Sequence, residues 1–181
     1  ANVVEKQAQQ SFVPPQGPFP TATQRELGLE AMKMLGFDFN GGRLDVSAHP
    51  FCGGVPEDVR ITTRYDEDEL LSALFGVIHE TGHARYEQNL PRTWAGQPVA
   101  LARSTAIHES QSLFFEMQLG RSDVFLKHLL PAVHARFGSQ AAFSEENFIA
   151  WNQRVKPGYI HVDADEVSYP AHVVLRYEIE R

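Results

Sequence analysis

Two histidines and a glutamate stand together in the stretch Gly76–Tyr86, as His79-Glu80-Thr81-Gly82-His83. On an α-helix, residues four apart share a face, so His79 and His83 can both turn an imidazole nitrogen to one ion. Glu80, one position on, can reach a water beside that ion without ligating it, the place of a general base. An amphipathic helix with two exposed histidines and a solvated glutamate would give the same short pattern. The approach to His79 argues against that alternative. Leu70, Leu71, Leu74, Phe75, Val77 and Ile78 are apolar, which places the motif in a core or cleft. A glutamate buried beside two histidines is costly unless a cation compensates it. Gly82 is expected to leave room above the helix for a substrate, at some cost in helix propensity.

A catalytic zinc needs a third protein ligand and an open position. The stretch Ser104–Glu116 offers the polar pair His108-Glu109, and one of the two is expected to complete the site. A carboxylate there would give a donor set of two histidines and a glutamate, suited to activating water for peptide hydrolysis. The alternative is a pairing of His108 with Glu109, or with water, on a partly exposed face.

These side chains need helices to carry them. Hydrophobic periodicity and stop signals predict helices over Gln24–Leu35, Leu70 to about Glu87, Arg103–Leu119, Ser122 to about Phe137, and from Ser144 to about Val155. A final helix is expected within Glu166–Glu180, started or interrupted at Pro170. Thr23 and Glu26 read as a capping box for the first helix, and the acidic run Asp66–Glu69 suits the positive end of the second. Arg43–Ser47 and Val59–Tyr65 read as short strands, and Tyr159–Asp165 alternates like a third. The fold class is therefore mainly α, a zincin-like helical domain with its motif on one helix and a little β-strand. Residues 1–22, polar and proline-rich, read as a linker or arm, with the domain over 23–181. The opening on Ala1 and a helix still running at Arg181 suggest a piece of something larger.

Composition bounds the rest. A chain of 181 residues accommodates one domain with a real core. The net charge of −7 argues against a nucleic-acid partner, and no apolar run approaches membrane-spanning length. Cys52 is the single cysteine, which excludes an internal disulfide and points to a reducing, cytoplasmic setting. His128, His134 and His172 have no partner motif, and Trp94, Trp151 and Phe51 read as packing residues.

Several motifs in order give a more specific signal. His79–His83, His108–Ser112, His49-Pro50-Phe51 and Asp58–Thr62, followed by Ala164–Glu180, resemble the carboxypeptidase Taq family of zinc metallocarboxypeptidases. The resemblance covers about Gln24 to Arg181. It implies His79, His83 and Glu109 as zinc ligands, Glu80 as general base and acid, and His108 as a residue shaping the site. It implies His49, Asp58, Arg60 and Thr62 along the substrate groove; a local Asp58–Arg60 ion pair is the plainer alternative. Tyr169 could donate to an oxyanion. The implied substrate is a peptide with a free C-terminus, and the family's homodimers extend to this chain as an expectation. Cobalt or manganese could replace zinc at such a site.

Two departures from the family pattern matter. Its Ile/Val-Arg-x-x-Ala-Asp motif, whose arginine is thought to hold the substrate carboxylate, stands here as Ile160–Asp165 with His161 in place of arginine. A neutral histidine lacks the permanent charge and bidentate fork. Carboxylate recognition then weakens, becomes pH-dependent, or passes to Arg60 or Arg176. The family's enzymes are also much longer, with a helical groove wall and a Gly-x-x-Gln motif not found in this sequence. Two rivals to a carboxypeptidase therefore stay open: a zincin oligopeptidase or endopeptidase, and a non-catalytic zinc-binding fragment.

Overall fold

The computed structural model describes residues 2–8, 11–159 and 164–181. Its helices are α1 (Asn2–Gln7), α2 (Thr21–Met34), α3 (Leu70–Gln88), α4 (Thr105–Leu113), α5 (Asp123–Phe137), α6 (Glu145–Asn152) and α7 (Tyr169–Glu180). Three strands, β1 (Gly42–Val46), β2 (Phe51–Val55) and β3 (Asp58–Thr63), form one sheet in the order β1-β3-β2. The fold is mainly α with a small sheet, as the periodicity predicts. Two compact units divide the chain: 16–139, and 1–15 together with 140–181.

Within 16–139, β3 runs parallel to β1 and antiparallel to β2. Leu44, Val59 and Ile61 turn from the sheet into a core shared with Met32, Phe37, Val77 and Ala84, so the sheet and α2 both back onto α3. That is why α3 is apolar on most of its circumference: ten of its residues, from Leu70 to Ala84, are buried. Glu69 caps its start, its carboxylate accepting the Ser72 N–H. Ser104 and Ser122 cap α4 and α5 in the same way, through Ile107 and Phe125.

Several local expectations change. The first long helix begins at Thr21, with Pro20 in the cap position and no side-chain cap, so Thr23 lies inside the first turn. The Glu67 carboxylate accepts the Thr21 N–H instead, a partner too distant in sequence for a capping box to reveal. The stretch Arg103–Leu119 is two elements: α4, then a π-helical segment Phe114–Leu119 that continues it. β2 was not expected, because Gly53-Gly54 breaks the β-branched pattern that marks a strand. Phe51 is 52% exposed, not a core residue, and Trp94 is half exposed rather than packed. The expected strand at Tyr159–Asp165 falls largely on 160–163, outside the described residues.

In the other unit the N-terminal run contains a short helix, α1. Gln7 clamps the backbone of Val155, donating to its carbonyl at 2.9 Å and accepting its N–H at 2.7 Å. Asn147 does the same for Val13, at 2.9 and 2.7 Å. Phe143, Phe148 and Trp151 pack edge to face along α6. Asp165 receives the N–H groups of Lys156, Val167 and Ser168. Burial alone would raise its pKa, but these donors outweigh that and hold it below the usual range.

Candidate metal centre

The site is built where α3 and α4 lie against each other in opposite directions. Gly82 allows the approach: a Cβ there would lie 2.7 Å from Ser112 Cα and 2.9 Å from the Gln111 carbonyl oxygen. The space above Gly82 is therefore filled by α4, not left for a substrate. This contact brings Glu109 opposite the two histidines. Glu109 Oε2 lies 3.3 Å from His83 Nε2 and 3.9 Å from His79 Nε2. One donor atom from each of these three residues falls within 4.8 Å of the others. Donors about 2.1 Å from a tetrahedral ion stand roughly 3.4 Å apart, so this set needs only small adjustments to hold zinc. Ser112 Oγ lies 3.3 Å from Glu109 Oε2 and donates to the Glu109 carbonyl, bracing that side chain.

The far nitrogens are engaged by protein. His79 Nδ1 is 2.8 Å from Glu116 Oε2. His83 Nδ1 is 2.7 Å from His108 Nδ1, and His108 Nε2 is 2.7 Å from Glu87 Oε1. Both ring nitrogens of His108 thus have protein partners, behind the ligand set rather than toward a substrate. Arg121 stacks over Phe75 at 4.0 Å and reaches to 3.8 Å from Glu116 Oε1.

Glu80 is 7% exposed, and its Oε2 is buried with no hydrogen-bond partner among the described residues. Burial pushes its pKa up, partly countered by His79 and His83. For Glu109, the facing His83 imidazole outweighs burial and pulls the pKa down. For His79, burial would lower the pKa, but Glu116, with the charges of Glu80 and Glu109, raises it. Three carboxylates and two imidazoles thus share one small volume, an arrangement that a divalent cation compensates.

The remaining candidates are not members of this donor set. Asp58 and Arg60 form an ion pair on β3, Arg60 Nη2 lying 2.6 Å from Asp58 Oδ2 with both side chains half exposed. Thr62 is buried; its Oγ1 accepts the Phe51 N–H at 3.1 Å and lies 3.4 Å from the carbonyl of exposed His49. It ties the start of β2 to β3. Tyr169 opens α7 in the other unit, its N–H donating to the Asp165 carbonyl. His161 lies outside the described residues. Arg176 pairs with Glu180 on α7. Glu116 and Glu87 had no role in the sequence reading. Their signal was faint: Glu87 follows His83 by one helical turn, and Glu116 follows Glu109 by two.

A pair of histidines one turn apart, a glutamate facing them from an antiparallel helix and a buried carboxylate beside them define a metallopeptidase type of centre. The sequence profile of the carboxypeptidase Taq (M32) metallopeptidases matches residues 1–181. Carboxypeptidase 1 of Bacillus subtilis is 44% identical over 168 residues, 90% of this chain and 33% of its own length. Thermostable carboxypeptidase 1 of Thermus thermophilus is also 44% identical, over 90% of this chain and 32% of its own. The structure of Trypanosoma cruzi metallocarboxypeptidase 1 superposes with a TM-score of 0.94 at 54% identity, covering 99% of this chain and 36% of that one. The chain belongs to the carboxypeptidase Taq (M32) metallopeptidase family, and it spans about a third of the length of these relatives.

Proposed function

We propose that this chain carries the catalytic centre of a zinc-dependent metallocarboxypeptidase, with His79, His83 and Glu109 holding the metal. The observation that carries this reading is the convergence of one donor atom from each of two imidazoles and one carboxylate within 4.8 Å, beside the buried Glu80. When bound, zinc supplies a Lewis acid that polarises the scissile carbonyl and makes water a nucleophile near neutral pH. Glu80 accepts the proton of the attacking water. Its raised pKa makes its carboxylate a stronger base than a solvated one, and the same oxygen then delivers the proton to the leaving amine. The burial of Glu80 limits the access of bulk water to that transfer.

The substrate is a peptide with a free C-terminus, in a cytoplasmic setting. Its carboxylate is taken by Arg60, which is hydrogen-bonded to Asp58 on β3. His49 and Thr62 shape the segment leading into β2. One observation favours a second reading, a metal-binding scaffold that turns over only with a partner surface in place. Val174, Leu175, Tyr177 and Ile179 of α7 are 58–73% exposed.

The deciding experiment offers the zinc-loaded chain one peptide with a free C-terminus and its amidated twin, with mass spectrometry of products and a chelator control. Stepwise loss of C-terminal residues from the free peptide alone is the expected result. Internal cleavage of both would make the chain an oligopeptidase. Stoichiometric zinc without cleavage would favour the scaffold.

A further inference from the structure

The two ligand histidines are oriented by different devices, and the tautomers follow from hydrogen-bond logic. An ionised carboxylate only accepts, so Glu116 requires a proton on His79 Nδ1, which leaves the lone pair on Nε2. Glu87 likewise requires a proton on His108 Nε2. Neutral His108 then accepts at Nδ1, so His83 must donate from Nδ1, and its lone pair too is on Nε2. Both bare Nε2 atoms face Glu109 Oε2, at 3.9 and 3.3 Å.

We propose that Glu116, and the pair His108–Glu87, are positioning residues: each fixes one ligand histidine in the tautomer and ring orientation that present Nε2 to the metal. This rests on the reading that His79, His83 and Glu109 bind the ion. The geometry supports it in three ways. The Glu116–His79 and Glu87–His108 contacts, at 2.8 and 2.7 Å, lie at the short end for nitrogen–oxygen hydrogen bonds, and the His83–His108 nitrogen–nitrogen contact is 2.7 Å. The side chains of Glu116 and Glu87 are only 19% and 25% exposed, so bulk water screens them little. Glu116 is itself flanked by Arg121, whose guanidinium lies 3.8 Å from Oε1, the oxygen not engaged by His79. The π-helical segment gives the placement: Glu116 lies within it, so the change of winding past α4 sets which face it presents to α3. The two devices differ in charge. His79 leans on an anion directly, whereas His83 leans on an imidazole with the anion one residue further back.

The test uses the full chain with Glu116→Leu, Glu116→Gln, His108→Ala and Glu87→Gln, each checked for wild-type helicity by circular dichroism. Zinc affinity is read by competition with a chromophoric chelator, and imidazole tautomers by long-range proton–nitrogen NMR. Partners of metal-ligating histidines contribute roughly 10- to 100-fold in affinity, so Glu116→Leu, which keeps bulk but cannot accept, should bind zinc that much more weakly. His79 should also lose its fixed Nδ1–H tautomer. Glu116→Gln keeps a carbonyl acceptor and should recover most of both. His108→Ala should release the tautomer of His83 alone. Unchanged affinity and an unchanged His79 tautomer in Glu116→Leu would overturn the inference while leaving the metal site standing. If the wild type took up no zinc, the metal reading would fall, and the tautomer spectra of the metal-free chain would still decide for or against the orienting role.

Discussion

Glu80 and Cys52 show how burial sorts two reactive side chains into opposite roles. Glu80 is buried yet lies near two imidazoles, so its raised pKa comes with a polar neighbourhood that can use the proton. Replacing it by glutamine keeps the shape and removes the base. Glu80→Gln is expected to bind zinc as the wild type does and to lose roughly 10²- to 10⁴-fold in kcat, the usual contribution of a positioned acid–base group. Wild-type turnover in that variant would remove Glu80 from the mechanism. Cys52 instead feels anions. Its burial, together with the negative charges of Glu80 and Glu87, pushes the thiol up to about 12. A thiol with a raised pKa is neutral below that value, and only the thiolate reacts. Native protein at neutral pH should therefore alkylate far more slowly than the denatured chain, with the rate still climbing at pH 10. A plateau near the ordinary cysteine range of about 8.5 would contradict the assignment.

At the scale of elements, the site depends on how closely α3 and α4 approach. Gly82→Ala improves helix propensity by about 1 kcal/mol in isolation. Its Cβ would nevertheless run into the backbone of Ser112 and Gln111, which cannot yield as a flexible side chain would. Overpacking of this kind costs about 1–3 kcal/mol, so the variant should melt earlier and, by separating His83 from Glu109, bind zinc more weakly. Gly28→Ala is the matched control. There a Cβ would meet Val77 Cγ2 at 3.5 Å, an ordinary contact, and the change should stabilise by about 0.5–1 kcal/mol. If both variants shifted the melting temperature alike, helix propensity rather than the α3–α4 contact would govern. The same contact explains what the sequence could and could not reveal. His79 and His83 were legible because one helix carries both and 3.6-residue periodicity is local. Glu109 was legible only as half of the pair His108-Glu109, until the family resemblance separated the two. Glu116 and Glu87 were not, since their roles depend on the direction and offset of two packed helices. β2 was missed for a related reason: the antiparallel register with β3 makes Phe51–Val55 a strand against its own glycines.

For the whole molecule, the centre is an electrostatic liability until a cation enters. The chain carries a net charge of −7, and Glu80, Glu109 and Glu116 are drawn together between α3, α4 and the π-helical segment. Like charges at such range repel, and the histidines offset them fully only when protonated, a state incompatible with their use as ligands. A bound divalent ion resolves both problems and cross-links α3 to α4. Zinc should therefore bind the folded state far more tightly than the unfolded one. At a free concentration of about 100 times Kd, mass action alone adds about 2.7 kcal/mol. For a chain of this size, that corresponds to a rise in Tm of about 5–10 °C. Differential scanning fluorimetry across a zinc titration measures it, with a chelator returning the melt to its starting point. Glu109→Ala should abolish most of the rise, while a substitution on exposed α7, such as Val174→Ser, should leave it intact. A melt that ignores both zinc and chelator would mean that the three donor atoms converge for packing reasons alone, and the catalytic reading would fall with it.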